Sequence, residues 1–104
     1  MKKLTGEERE TLLIKLLLQV MRSECTEGHL LRTLRKEVAG MTQDQYAAHV
    51  GISRRTLSDI ERDAGNQTIP VINRAVKPFG LKLGLLPRNR RLFEQLLEAE
   101  IGEE

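Results

Sequence analysis

The chain has 104 residues, of which 39% are hydrophobic and 31% are charged. This length fits one domain, and the balance is that of a globular protein rather than a disordered or fibrous one. Seventeen lysines and arginines against fifteen aspartates and glutamates give a formal net charge of +2, which by itself does not indicate a nucleic-acid partner. A chain this short buries about 60–65% of its unfolded surface, so contact with a second copy would stabilise it.

Several classes of protein are disfavoured by the composition. The single cysteine, Cys25, excludes an internal disulfide framework and a zinc site built from several cysteines. The most apolar stretch, 12–21, contains Lys15 and Gln19 and is too short to span a bilayer. The N-terminal segment becomes acidic at Glu7, where a signal peptide would become apolar. We therefore expect a soluble cytoplasmic protein with no membrane contact.

Apolar residues at helical spacing predict six helices, over 6–22, 29–39, 42–50, 54–62, 69–79 and 88–101. Thr5 and Glu8 form a capping box at the first start, and Ser53 caps the fourth helix. Gly40 and Gly51 end the second and third helices. Pro78 should weaken the end of the fifth helix.

The segment after the fifth helix changes its pattern. Residues 81–85 alternate apolar with polar or small residues, which predicts a short strand that Pro87 ends. A single strand cannot satisfy its own backbone, so we expect it to pair with its copy about a two-fold axis. The predicted dimerisation residues are Leu81, Leu83 and Leu85. The first helix, through 12–21, could cover that interface or complete the core of the monomer.

Charge is unevenly distributed along the second half of the chain. Residues 64–91 contain six bases and no acids, and residues 92–104 contain five acids and no bases. A net charge near zero therefore conceals a basic stretch followed by an acidic tail. The basic stretch is either a solvated surface or a flank of a DNA-binding surface.

The segment 43–62 carries the functional signal. Two short helices joined by a tight turn cross steeply, so a small residue such as Ala47 is needed where they approach, and Gly51 allows positive φ at the turn. The apolar residues that would form the shared core are Tyr46, Val50, Ile52, Leu57 and Ile60. Small, glycine and apolar residues at all these spacings predict a helix-turn-helix.

Residues 30–86 resemble the Xre-like transcriptional regulators of the phage repressor/Cro type. Thr42-Gln43 followed by Tyr46-Ala47 matches the start of the motif, and 53–61 matches the recognition helix. The run 79–85 is similar to the end of the HipB-like antitoxin group, where the helical domain passes into a dimerising strand.

The resemblance implies an all-α fold with a five-helix lambda-repressor-like domain. To this domain it adds an extra N-terminal helix, one short C-terminal strand pairing across a dimer, and a terminal helix. The corresponding divisions are an N-terminal helix and connector over 1–28, the DNA-binding domain over 29–80, and a dimerisation strand and helix over 81–104. Arg35 and Glu61 match an ion pair that the family often carries behind the recognition helix, with one extra residue between Arg35 and Gln43.

In this family the recognition helix lies in the major groove, and its first residues reach base edges. The matching residues are Arg54, Arg55, Ser58 and Asp59. Arginine can donate two hydrogen bonds to guanine, and aspartate can accept one from cytosine. The residues that match phosphate-contacting positions are Gln43, Ser53, Thr56, Asn66 and Thr68.

Each role has a simpler alternative. Arg54 and Arg55 could form a solvated helix face, and Asp59 could cap, pair with Arg55 or Arg62, or repel phosphate. The two histidines are isolated from each other and from acidic clusters, so we expect no metal and no cofactor. Cys25 has no catalytic neighbours in sequence and is expected to be an ordinary thiol.

The expected function is a homodimer that binds double-stranded DNA at an inverted repeat and represses transcription. Half-sites of such dimers lie about 34–36 Å apart. One alternative is an antitoxin that also binds a toxin protein, and another is an interaction module that does not bind DNA. We expect no enzyme, since the sequence shows no phosphate-binding glycine loop and no nucleophile–base set.

Overall fold

The computed structural model describes residues 3–99, and residues 1–2 and 100–104 lie outside the described part of the chain. The described residues form six α-helices: α1 (Gly6–Met21), α2 (Glu27–Leu34), α3 (Gln43–Val50), α4 (Arg54–Glu61), α5 (Ile69–Val76) and α6 (Arg90–Ala99). Helix α2 continues as a π-helical turn over Arg35–Ala39, and α5 continues as a 3₁₀ turn over Lys77–Phe79. The all-α prediction is confirmed for these residues, while the predicted end of the last helix at Ile101 is outside them.

Side-chain caps begin the first five helices. An oxygen of each capping side chain accepts a backbone N–H three residues further on, and the caps are Thr5, Thr26, Thr42, Ser53 and Thr68. Helix α2 thus begins at Glu27, two residues before the predicted start. Helix α5 changes to a 3₁₀ turn at Lys77, because Pro78 has no N–H to continue an α-helix.

The core consists of two apolar clusters joined through Phe79 and Leu81. The larger cluster contains the predicted apolar residues Tyr46, Val50, Leu57 and Ile60 together with residues of α2 and α5. The smaller cluster joins Leu16 of α1 to Leu30 and Leu34 of α2. Helix α1 therefore completes the core within one chain, which decides between the two roles that its sequence allowed.

Tyr46 connects α3 to α5 at the centre of the larger cluster. Its ring stacks on Phe79 with centroids 5.9 Å apart, and its hydroxyl donates to the carbonyl oxygen of Ala75 at 2.6 Å. A buried hydroxyl with a partner fixes the register of the two helices, because either group left alone would be costly.

A buried ion pair joins α4 to the end of α2. Arg35 donates from Nε to Oε2 of Glu61 at 2.6 Å and from Nη2 to Oε1 at 3.0 Å. The Nη1 group of Arg35 donates to the Met41 carbonyl at 2.8 Å, and Gln43 Nε2 donates to Glu61 Oε1 at 3.0 Å. The pair that the resemblance implied is therefore present.

The π-helical turn explains how the extra residue before Gln43 is accommodated. A π-helical hydrogen bond spans five residues instead of four, and here the N–H of Gly40 donates to the Arg35 carbonyl. Gly40 then adopts φ 64°, a left-handed conformation that ends the helix. The wider turn takes up the additional residue while Arg35 stays in contact with Glu61.

The predicted strand over 81–86 is not found among residues 3–99. The backbone N–H of Leu83 donates instead to the side chain of Asn73 at 2.7 Å, and that of Leu81 donates to the Val76 carbonyl at 3.3 Å. The described chain contains no neighbouring strand, so no ladder can form. The three predicted dimerisation leucines also differ in environment: Leu81 packs against both clusters, whereas Leu83 and Leu85 are exposed.

The ion pair generates a stability prediction. Glu61→Ala leaves the buried guanidinium of Arg35 uncompensated and should lower the free energy of unfolding by about 3–5 kcal/mol. The matched control is Asp59→Asn, which removes a partly exposed ion pair with Arg62 on the same helix and should cost below about 1 kcal/mol. Urea unfolding followed by circular dichroism measures both, and equal losses for the two variants would contradict this role of Glu61.

Tyr46 generates a pH prediction. Burial, and secondarily the charge of Glu61, raises the pKa of Tyr46 from its ordinary value of 10 to about 12. The protonated ring therefore contributes stability that is present below about pH 10 and is lost as the pH rises towards 12. Tyr46→Phe should be less stable than wild type at pH 8, and its unfolding free energy should fall less between pH 10 and 12. Parallel pH dependence of the two proteins would refute this assignment.

Candidate nucleic-acid interface

Helices α3 and α4 form the two arms of the motif around Gly51. The backbone N–H groups of Gly51 and Ile52 both donate to the Ala47 carbonyl, at 2.9 and 3.0 Å. Gly51 has φ 77°, which a residue with a side chain would adopt only with strain. Ala47 is buried at this crossing, as its small size predicted.

Arg74 of α5 reinforces the turn, a role that the sequence did not reveal. Its Nη1 group donates to the carbonyl oxygen of Gly51 at 3.2 Å. Arg74 belongs to the basic stretch 64–91, whose sequence pattern shows only charge. A long-range hydrogen bond to a backbone carbonyl has no local sequence signal, so only the folded structure could identify it.

The beginning of α2 packs closely against the end of α4. A Cβ atom at Gly28 would lie 2.5 Å from the Ile60 carbonyl oxygen. The Gly28 N–H donates to Oδ1 of Asp63 at 3.0 Å. Together with the buried side chains of Leu57 and Glu61, these contacts determine which face of α4 is directed away from the core.

The outward face of α4 groups three of the four predicted base-contacting residues. Arg54, Arg55 and Ser58 line a shallow surface depression together with Arg62. Arg54, Ser58 and Arg62 are each four residues apart and therefore lie on one side of the helix. The spacing of Arg62 was a readable signal, but the sequence indicated Arg62 only as a candidate ion-pair partner.

Asp59, the fourth predicted base-contacting residue, is engaged with Arg62. Its Oδ1 accepts a hydrogen bond from Arg62 Nη2 at 2.6 Å, and Arg62 Nε also donates to the Ser58 carbonyl at 3.3 Å. Among the alternatives that the sequence left open, the structure shows the pair with Arg62. These contacts orient the Arg62 side chain along the exposed face of α4.

Arg54 has only a weak partner. Its Nε lies 3.5 Å from Oδ1 of Asp44, and the two side chains are 65% and 76% exposed. Exposed pairs of this kind contribute between about 0 and 1 kcal/mol. Arg54 can therefore exchange this contact for a stronger acceptor at little cost.

The predicted phosphate-contacting residues lie at three helix beginnings and one loop. At α4, Ser53 Oγ accepts the Thr56 N–H at 3.0 Å and donates to Thr56 Oγ1 at 2.8 Å. Gln43 begins α3, but its side-chain amide is directed inward to Glu61. Asn66 is exposed in the loop before α5, and Thr68 caps that helix.

The other candidate sites show no additional chemistry. Burial, and secondarily the charge of Glu27, raises the pKa of the Cys25 thiol, which disfavours the reactive thiolate. Within residues 3–99, no three side chains of the metal-ligating types are grouped as a metal site. No helix in the same part of the chain has both the length and the apolar character that a membrane crossing requires.

Comparison with known families agrees with this geometry. The family model of the helix-turn-helix domain matches residues 28–88, which is more than half of the chain. The chain belongs to the helix-turn-helix domain family. The matched part of this helix-turn-helix protein runs from Gly28 through α5 to Arg88 and leaves α1 and α6 outside. Comparisons with curated proteins and with solved structures found no match.

Proposed function

We propose that this helix-turn-helix protein is a sequence-specific DNA-binding regulator that represses transcription as a homodimer on an inverted-repeat operator. The observation that carries the proposal is the exposed face of α4, where Arg54, Arg55 and Arg62 surround the short side chain of Ser58. Three guanidinium groups around one small residue form a surface that a DNA groove can approach closely. The finer resemblance to Xre-like regulators places this helix in the major groove.

In the proposed complex the first turn of α4 reads bases. Arg54 and Arg55 donate paired hydrogen bonds to guanine O6 and N7, and Ser58 lies one turn further along the same face. Asp59 can accept from cytosine while it keeps Arg62, because Arg62 occupies only Oδ1 of its carboxylate. Arg62 adds a positive charge that we assign to phosphate.

The phosphate contacts in the proposal come from the helix beginnings. The first backbone N–H groups of a helix have no partner within it and attract an anion. Ser53 and Thr56 add hydroxyl groups at α4. Gln43 contributes through its backbone, since its side chain is held by Glu61. Asn66 and Thr68 contribute from the loop before α5.

The remaining parts of the proposal concern organisation and setting. We retain the division into 1–28, 29–80 and 81–104, a cytoplasmic location, and a role without enzymatic activity or cofactor. An antitoxin would use the same α4 surface and would also co-purify with a toxin encoded by a neighbouring gene. An interaction module without DNA binding would leave the α4 arginines without a function.

The test is a binding selection with purified protein and genomic DNA fragments, followed by titration of the enriched site. The wild type should enrich an inverted repeat. Arg54→Ala/Arg55→Ala should lose at least about tenfold in discrimination, because each paired contact to guanine contributes about 1–3 kcal/mol. Its circular dichroism spectrum should match that of the wild type, since both side chains are exposed.

The matched control is Arg9→Ala/Arg22→Ala, which removes the same charge from exposed positions in and next to α1. This control should keep the discrimination of the wild type. Affinity of the wild type should fall by orders of magnitude between about 50 and 200 mM salt, because phosphate contacts release counterions. Failure to enrich any sequence, with equal weak binding by all three proteins, would overturn the proposed function.

A further inference from the structure

Helix α6 has an apolar side that the described chain covers only in part. Phe93 is the one buried residue of Arg90–Ala99. Leu92, Leu96 and Leu97 are 48%, 53% and 49% exposed. A ten-residue helix is marginal in water without tertiary packing, so these leucines need a partner for α6 to be well formed.

The charges of α6 are arranged with opposite signs at its two ends. Arg90 pairs with Glu94 one turn away, at 3.7 Å. Arg91 and Glu98 have no ion-pair partner among residues 3–99. They are seven residues apart, so they lie on the same side of the helix, about 10 Å from each other along its axis.

We propose that α6 packs antiparallel against α6 of a second copy of this chain, about a two-fold axis near residues 94–95. In this arrangement Arg91 of each copy faces Glu98 of the other, so the symmetry forms two ion pairs at once. The leucines of each helix cover those of the other. A parallel arrangement would instead place Arg91 against Arg91 and Glu98 against Glu98.

The self-complementary charge pattern favours a second copy over an unrelated partner. A two-fold interface uses the same surface on both subunits, so that surface must carry both signs in reversed order. The segment Arg90–Ala99 meets this condition by itself. The inference rests on the proposed homodimer, but it assigns the interface to α6 rather than to residues 81–86.

Charge exchange tests this interface directly. Arg91→Glu and Glu98→Arg each replace both intersubunit ion pairs by like-charge pairs, and each should raise the dimer dissociation constant about tenfold at low salt. The double variant Arg91→Glu/Glu98→Arg restores opposite charges and should return to within about threefold of the wild type. An equal mixture of the two single variants should form a heterodimer as tightly as the wild type. Sedimentation equilibrium measures all four.

The control is Arg9→Glu, which makes the same charge change on the exposed side of α1 and should leave the dissociation constant unchanged. Wild-type protein that stays monomeric at 100 μM, including because another kind of partner covers α6, would overturn the inference. So would single variants that dimerise as tightly as the wild type.

Failure of the inference and failure of the proposed function give different results. A dimer that binds the enriched DNA site but does not respond to the α6 charges overturns only the interface. A dimer that responds to the charge exchange but enriches no DNA sequence overturns only the regulator. Arg54→Ala/Arg55→Ala should keep the wild-type dissociation constant of the dimer, because neither residue belongs to α6.

Discussion

The buried ion pair between Arg35 and Glu61 is the constraint on which the position of α4 depends. Glu61 is the last residue of α4, and its two carboxylate oxygens accept hydrogen bonds from Arg35 and Gln43. The third donor group of Arg35 is bound by the Met41 carbonyl. A buried charge is tolerated only when it is paired and hydrogen-bonded, so the recognition helix, the beginning of α3 and the π-helical turn must hold one relative arrangement. The opposite face of α4 is then left exposed with its arginines.

The helices were predictable because their signals are local. Capping residues and helical spacing of apolar residues act within one or two turns, and all six predicted helices correspond to helices of the structure. Arg35 and Glu61 were found through the resemblance, although they are 26 residues apart. The π-helical turn that brings them together has no propensity signal. It follows from the need to accommodate one extra residue without separating the pair.

The parts that the sequence could not predict depend on tertiary partners. The alternation in 81–85 satisfies the strand pattern, but a strand needs a neighbour, and Asn73 takes the Leu83 N–H instead. The orientation of Arg62 depends on Asp59, and the contact of Arg74 with the turn crosses 23 residues. The basic stretch 64–91 is therefore not uniform in role, because at least Arg74 serves the fold.

The most direct measurement is a ¹H–¹⁵N NMR titration of the full chain with a duplex that contains the enriched inverted repeat. The proposed regulator predicts the largest shift changes at the backbone amides of 53–58 and at the Nε groups of Arg54, Arg55 and Arg62. The Nε resonance of Arg35 should stay nearly unchanged, because its partner Glu61 lies behind the helix. Large changes confined to α6 or to residues 81–86, with α4 unaffected, would contradict the assignment of α4 as the helix that reads DNA.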